Sequence, residues 1–412
     1  MKLHASHLYM IMSFIQSFAN STMFTTYAIF YIATLGLNPL ELLIVGMVLE
    51  LTVLIFEGIT GVVADTYSRR LSVIAGMFVL GSGFVLQGFI PSLDGLIPLV
   101  TVFVWVLISQ FVCGIGYTLI SGADTAWIVD EVGASQMGNL FLKAKRYSLM
   151  GTLAGIALSV ALSTLGTHLP YMIGGFLYLV LGVFLLVFMQ EQRFVRPERV
   201  EGTTHWHEMK STWLHGAKVI RRQPVLLMIL LVTLFSGAAS EGYDRLREAH
   251  LILEVGIPDS NLSLAMWFGL IAAVSTFLSI FVVRLTERRL DMNNERVVLN
   301  GMFVLTGLRI AAILAFAFSP SFTWALVSLL LIGMLGTLIE PLYDTWLNLN
   351  IEGKVRATIL SMMGQTDALG QTAGGPFVGW VGSRYSIRAS LIVAAVLFMP
   401  ILLVFGRALR KR

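Results

Sequence analysis

Five carboxylates stand inside stretches of sequence that are otherwise apolar. Glu50 and Glu57 are seven residues apart in one such run, Glu340 and Asp344 four apart in another, and Asp367 lies within a third. Spacings of four and seven return side chains to one face of a helix, so each pair shares a face. A carboxylate at lipid depth is able to take up and release a proton near physiological pH, which is the chemistry of proton coupling. The competing use is a fixed ion pair with a basic residue on a neighbouring helix. Both uses stand open for Glu50, whereas the ion pair is favoured for Glu57. Glu340 and Asp344, one turn apart, compete for ionisation.

Uncharged polar residues recur at helical spacing in four of the apolar runs. Ser13, Gln16, Ser17 and Asn20 form one stripe, continued by Phe24, Tyr27 and Tyr31; Gln110, Gly114, Tyr117, Ser121 and Asp124 form a second. Thr233, Ser236, Ser240 and Asp244 make a third, and Gly333, Thr337, Glu340 and Asp344 a fourth. Ser and Thr can bond back to their own helix, which accounts for single residues but not for four stripes. Polar side chains at lipid depth face a cavity or a partner, so Gln16, Asn20, Tyr27, Gln110, Tyr117, Ser236, Ser240, Asp244 and Thr337 are expected to line a substrate cavity. Glu241 precedes Arg245 by four, the favourable order for a helical ion pair. No nucleophile–base pairing, phosphate-cradling loop or cofactor fingerprint accompanies these residues. An enzyme is therefore not expected, nor a cofactor, nor a metal site.

The elements that position these residues follow from composition. Of 412 residues, 56% are hydrophobic and 13% charged, where soluble domains carry about 25% charged. An all-α membrane protein is expected, with twelve spans near 8–35, 41–63, 71–90, 96–121, 141–165, 170–189, 224–244, 262–283, 297–318, 322–346, 356–382 and 388–406. The first run is longer than a signal-peptide core and reads as a retained span. Cys113 is a lone cysteine, so no intrachain disulfide forms. Of 28 Lys and Arg residues, Arg245, Arg247, Arg384 and Arg388 fall in connections of one side and Arg309 falls inside a span, leaving 23 for the other side. That excess places both termini in the cytosol. The insertion 190–223 splits the spans six and six, giving a bundle over 1–189, a linker, and a bundle over 224–412. Trp206, Met209, Trp213, Ala217 and Ile220 in the linker have the spacing of a surface-lying amphipathic helix, and His205, His207 and His215 read as solvated residues on its polar face. Gly151 with Gly155, and Gly370 with Gly374, have the small-xxx-small spacing that lets helices approach closely.

The stretch Gly61–Leu71, GVVADTYSRRL, joins two of the runs. It resembles the loop signature of the major facilitator superfamily, G-x-L-A-D-[RK]-x-G-R-[RK], through Gly61, Ala64, Asp65, Arg69 and Arg70; Val63, Thr66 and Ser68 depart from it. The resemblance covers nearly the whole chain and implies two pseudo-symmetric six-helix bundles rocking about a central site. It implies that the first, fourth, seventh and tenth spans line the cavity, and the four stripes fall on those spans. It also implies a peripheral ninth span, so that Arg309 is structural, and a conformational latch at Gly61, Asp65, Arg69 and Arg70, with Arg69 paired to Asp124 or Asp130. Proton-coupled drug exporters of the family often have Arg-x-x-x-Gly in the fourth span, where this chain has Gln110 ahead of Gly114. They also have Gly-x-x-x-Gly-Pro in the fifth, where Ile156 follows Gly155.

The implied function is secondary transport of a small amphipathic molecule across the cell membrane by alternating access. Proton-driven export of drug-like or toxic compounds is the leading reading, with Glu50 the first coupling candidate. Proton-coupled nutrient uptake, a lipid flippase and a receptor on the same fold are the alternatives. The expected partners are the bilayer, protons and a small substrate, with no nucleic acid, for a monomer. Tags at either terminus should be reached by a membrane-impermeant reagent only after the cells are opened; labelling of intact cells would reverse the assigned orientation.

Overall fold

The computed structural model describes residues 4–97, 100–133, 137–194, 218, 220–221, 223–287, 294–351 and 356–410. Most of the linker, including the three histidines and the expected amphipathic helix, lies outside the described residues. Apolar runs without water to satisfy their backbone must bond internally, and the described chain accordingly forms helices. They are α1 (Ala5–Phe24), α2 (Pro39–Thr66), α3 (Arg69–Leu93), α4 (Val102–Ile120), α5 (Ala123–Val132), α6 (Met137–Leu165) and α7 (Leu169–Phe188). There follow α8 (Pro224–His250), α9 (Leu264–Glu287), α10 (Glu295–Ala317), α11 (Phe322–Asn350), α12 (Arg356–Arg384) and α13 (Ile387–Arg410).

Ten segments among the described residues are long and apolar enough to cross a membrane. The expected first and eleventh spans are not among them. The first is interrupted after Phe24 and resumes as a π-helix, Ile29–Thr34, whose wider turn is closed by Leu35 N–H on the Phe30 carbonyl at 2.9 Å. The eleventh, α12, is diluted by Gly, Gln and Thr. The fourth run also divides, at Gly122, whose φ of 72° is a conformation that glycine adopts freely. Several helices outrun the expected spans: α8 continues to His250 and α11 to Asn350.

Two compact units emerge. Unit 1 comprises residues 1–37, 48–200 and 260–272, and unit 2 comprises 38–47, 201–259 and 273–412. In unit 1, α1 packs against α6 and α7, while α3 packs against α4 and α7. Gly155 makes the first contact possible, since a Cβ there would lie 2.5 Å from the Phe18 carbonyl oxygen. Phe30, Tyr31, Phe84, Tyr171 and Tyr178, all buried, join edges and faces at centroid separations of 5.3–6.4 Å in the interior of the unit, with the exposed Phe24 against Phe84 and Tyr171.

In unit 2, α8 packs against α12 and α13, and α10 against α11 and α13. Gly374 sets the α8–α12 contact: a Cβ there would stand 2.5 Å from the Ala238 Cα. His250, fully buried, ties one end of the unit. Its Nδ1 is 3.0 Å from Glu254 Oε2 and its Nε2 is 3.1 Å from the Phe316 carbonyl. The other Glu254 oxygen accepts the Ile387 backbone N–H at 2.9 Å, satisfying an orphan donor at the start of α13.

The glycine contacts carry a stability prediction. Leucine at Gly374 would meet backbone that cannot yield, and overpacking of this kind costs about 1–3 kcal/mol or more. Leucine at Gly307, where nothing lies within 4 Å, should be neutral. Gly374→Leu is therefore expected to lower the melting temperature in detergent and Gly307→Leu to leave it unchanged.

Candidate functional site

Unit 2 contains an open cavity of about 350 Å³ walled by α8, α10, α11, α12 and α13. Three ionisable side chains line it: Arg309 from α10, Glu340 from α11 and Asp367 from α12. Tyr343, Thr233, Thr306 and Ser236 add hydroxyls, and Met302, Phe398, Ile401 and Phe405 form an apolar wall.

Each charged group is held by a specific feature. Asp367 sits where α12 crosses α8 at Gly237; a Cβ on that glycine would come 2.8 Å from Asp367 Oδ1. Gln371, one turn on, donates to the other Asp367 oxygen at 2.8 Å. The Arg309 guanidinium lies over the Phe398 ring, 4.9 Å from its centroid, a favourable cation–π arrangement. It also lies beside Gly336, where a Cβ would be in ordinary contact, 4.0 Å from Cζ. Glu340 lies one helical turn beyond Gly336 and immediately precedes Pro341. That proline has no N–H, so the Thr337 carbonyl loses its helical donor. Tyr343 OH and Thr233 Oγ1 share a short hydrogen bond across the cavity wall.

The other expected cavity residues are distributed more widely. Thr337 bonds to the Gly333 carbonyl at 2.9 Å and to Ser279 Oγ at 3.0 Å, outside the cavity lining. Ser240 bonds back to Gly237 O at 3.3 Å, and Asp244 accepts from Arg247 at 3.3 Å near the end of α8. Asp344 is exposed and also outside the lining. The expected Glu241–Arg245 pair forms at 2.9 Å, with Glu241 buried.

In unit 1, Gln110 is buried, and its amide nitrogen lies 3.1 Å from Tyr31 OH and 3.3 Å from Gln87 Oε1. Gln87 Oε1 also accepts from Ser109. Asn20 accepts from Tyr178 OH at 2.8 Å, Gln16 approaches Met77 Sδ at 3.9 Å, and Tyr27 and Tyr117 meet Tyr31 and Phe84 edge-on. These side chains direct their polar atoms or rings into the packing of unit 1. Glu50 and Glu57 are half-buried along α2, with Glu57 3.4 Å from Ser121 Oγ.

The Gly61–Leu71 stretch is tied down within unit 1. Arg69 pairs with Asp130 and, at 3.2 Å, with the exposed Asp65. Asp124, the other expected partner, instead accepts the Thr125 backbone N–H at 2.6 Å in the first turn of α5, a favourable place for a negative charge. Arg70 donates to the Met189 and Leu186 carbonyls at 2.5 and 2.8 Å. Glu191 accepts from the Arg69 and Arg70 backbone at 2.8 and 3.1 Å, capping α3. Nothing lies within 4 Å of a Cβ at Gly61.

The family model of the Major Facilitator Superfamily matches residues 9–370. The chain belongs to this superfamily. It is a multi-pass membrane transporter of small molecules, and not an enzyme. One relative is the "Uncharacterized MFS-type transporter YxaM" of Bacillus subtilis (strain 168), 24% identical over 384 residues, covering 91% of this chain and 89% of the relative. Among solved structures, the nucleoside transporter NupG superposes with a TM-score of 0.74 at 14% identity, over 100% of both chains. A bacterial homolog of the human lysosomal transporter Spinster gives 0.72 at 16%, over 100% of this chain and 98% of that one. At these identities the structural likeness speaks for the fold alone.

Sequence reasoning assigned Arg309 to a structural role on a peripheral span; in the transporter it lines the cavity with two carboxylates. Its signal was available, since it is the basic residue that falls mid-span. Tyr343 was missed, although it sits three residues after Glu340, on the same helix face. For the loop, the half-buried pairing with Asp130 yields a second stability prediction. Asp130→Asn should lose about 1 kcal/mol in chemical denaturation, while Asp124→Asn, whose amide oxygen can still accept from Thr125, should lose little; the reverse order would remove Asp130 as the partner that matters.

Proposed function

We propose that the chain is a proton-coupled exporter of a small amphipathic molecule. Twelve spans in two six-helix bundles would work by alternating access, with both termini cytosolic and the protein acting as a monomer. One observation carries the reading: within the membrane-spanning segments, a guanidinium and two carboxylates face a single void whose remaining wall mixes hydroxyls with apolar and aromatic side chains. Ionisable groups in such segments belong to substrate or ion pathways, and the mixed wall suits an amphipathic ligand. Asp367 becomes the first coupling candidate and Glu340 the second, because both line this void. Glu50, Glu57 and Asp344 remain secondary candidates. The pairing of Arg69 with Asp130, one of the two partners expected for it, supports the reading of Gly61, Asp65, Arg69 and Arg70 as a conformational latch.

Proton-coupled uptake is the second reading, favoured by the likeness in fold to a protein named as a nucleoside transporter. Proteoliposomes with an imposed pH gradient separate the two, because an exported compound moves against the protons and an imported one with them. Asp367→Asn should reduce gradient-driven accumulation at least about tenfold while sparing substrate exchange at equal pH. Intact gradient-driven flux in that variant, with loss in Glu50→Gln, would return coupling to Glu50.

A further inference from the structure

We propose that the unit 2 cavity holds the oxyanion group, carboxylate or phosphate, of a small organic molecule, with Arg309 as the residue that takes the charge. This deepens the preceding proposal and rests on its reading of the cavity as the substrate site.

The starting observation is a donor without an acceptor. Arg309 Nε is shielded from solvent and has no hydrogen-bond partner. A guanidinium stays charged at any physiological pH and presents five donors in a fixed fork. Leaving such donors unmet in a low-dielectric interior is unfavourable, more so than for a neutral group. Among the described residues Arg309 makes no ion pair, even though Glu340 and Asp367 line the same cavity. The Asp367 carboxylate is instead occupied by Gln371 at 2.8 Å.

Geometry holds the guanidinium ready. Phe398 supports the guanidinium at 4.9 Å, and Gly336 of α11 lies beside it, where a Cβ would make ordinary contact at 4.0 Å. An arginine fixed in this way matches a planar carboxylate or a phosphate through parallel N–H bonds. The rest of the wall describes the rest of the ligand. Met302, Ile401 and Phe405 offer apolar contact, and the Glu340 and Asp367 carboxylates offer acceptors for a hydroxyl or ammonium group. A volume of about 350 Å³ lies near the lower end of the roughly 300–1,000 Å³ of ligand pockets. The ligand class that fits is therefore a compact amphipathic organic anion or zwitterion, narrower than drug-like compounds in general.

The test is binding to the full chain in nanodiscs, read by thermal shift and titration calorimetry. The probes are 3-phenylpropanoate, phenyl phosphate and L-phenylalanine, each compared with the uncharged 3-phenylpropanamide and the cationic phenylalaninamide. The oxyanion probes should bind at least about tenfold more tightly than the amides, with the carboxylate and phosphate arms identifying the preferred head group. Arg309→Gln should remove the preference and Arg309→Lys should restore part of it. If Arg309→Gln does not fold, Phe398→Leu, which removes the ring that supports the guanidinium, should weaken the preference in the same direction. Equal binding of oxyanions and amides, no binding of any probe, or a preference that survives in Arg309→Gln would each overturn the inference. Proton-driven flux of a neutral compound without any oxyanion preference would sink this inference and leave the transporter proposal standing. Oxyanion binding at Arg309 without pH-driven flux would do the opposite.

Discussion

Charge at lipid depth is the constraint on which the rest of unit 2 depends. An exposed guanidinium or carboxylate is expelled from hydrocarbon at a cost of several kcal/mol, so Arg309 and Asp367, both half-buried, require helices arranged around them, while Glu340 lines the same cavity from an exposed position. Five helices contribute to that arrangement. The ring of Phe398 supports the cation, and the apolar side chains behind it complete a wall that a purely polar pocket would lack. The cavity is thus a consequence of where the charges stand as much as a container for them.

Backbone proximity does much of the positioning. Gly237 brings Asp367 against α8, and Gly374 lets α8 and α12 meet without intervening side chains. In membranes, where apolar surface gains little by leaving lipid, close backbone contact of this kind is a principal source of helix association. The same device recurs in unit 1 at Gly155 against α1. There it serves a different interior, in which Gln110, Gln87 and Tyr31 satisfy one another among packed aromatic rings. Polar stripes that look alike in sequence thus supply Thr233, Ser236 and Glu340 to the unit 2 cavity and cross-links such as Gln110–Gln87 and Asn20–Tyr178 to unit 1.

The segment Gly61–Leu71 shows charge used at a surface. Arg69 reaches Asp130 in α5, Arg70 reaches carbonyls at the end of α7, and Glu191 caps α3. Three elements of unit 1 are joined through one short connection. The helix-capping interactions give it a fixed geometry that exposed ion pairs alone would not provide.

The sequence by itself determined the membrane class, the helical architecture, the superfamily signature and the glycine spacings of the close helix contacts. Each of these is a local property, of composition, period or a short motif, and each is written in consecutive residues. It also marked Glu340, Asp367 and Arg309 as costly. What it could not decide was which costly residues share a void, because that depends on side chains from five helices separated by up to roughly 170 positions along the chain. Periodicity identifies a face but not the neighbour of that face. Arg309 was therefore set aside as structural, and Asp124 stood beside Asp130 as a partner for Arg69. Only the tertiary structure decided between such readings, since a polar group is satisfied by what it meets across helices, and helix packing alone fixes that meeting.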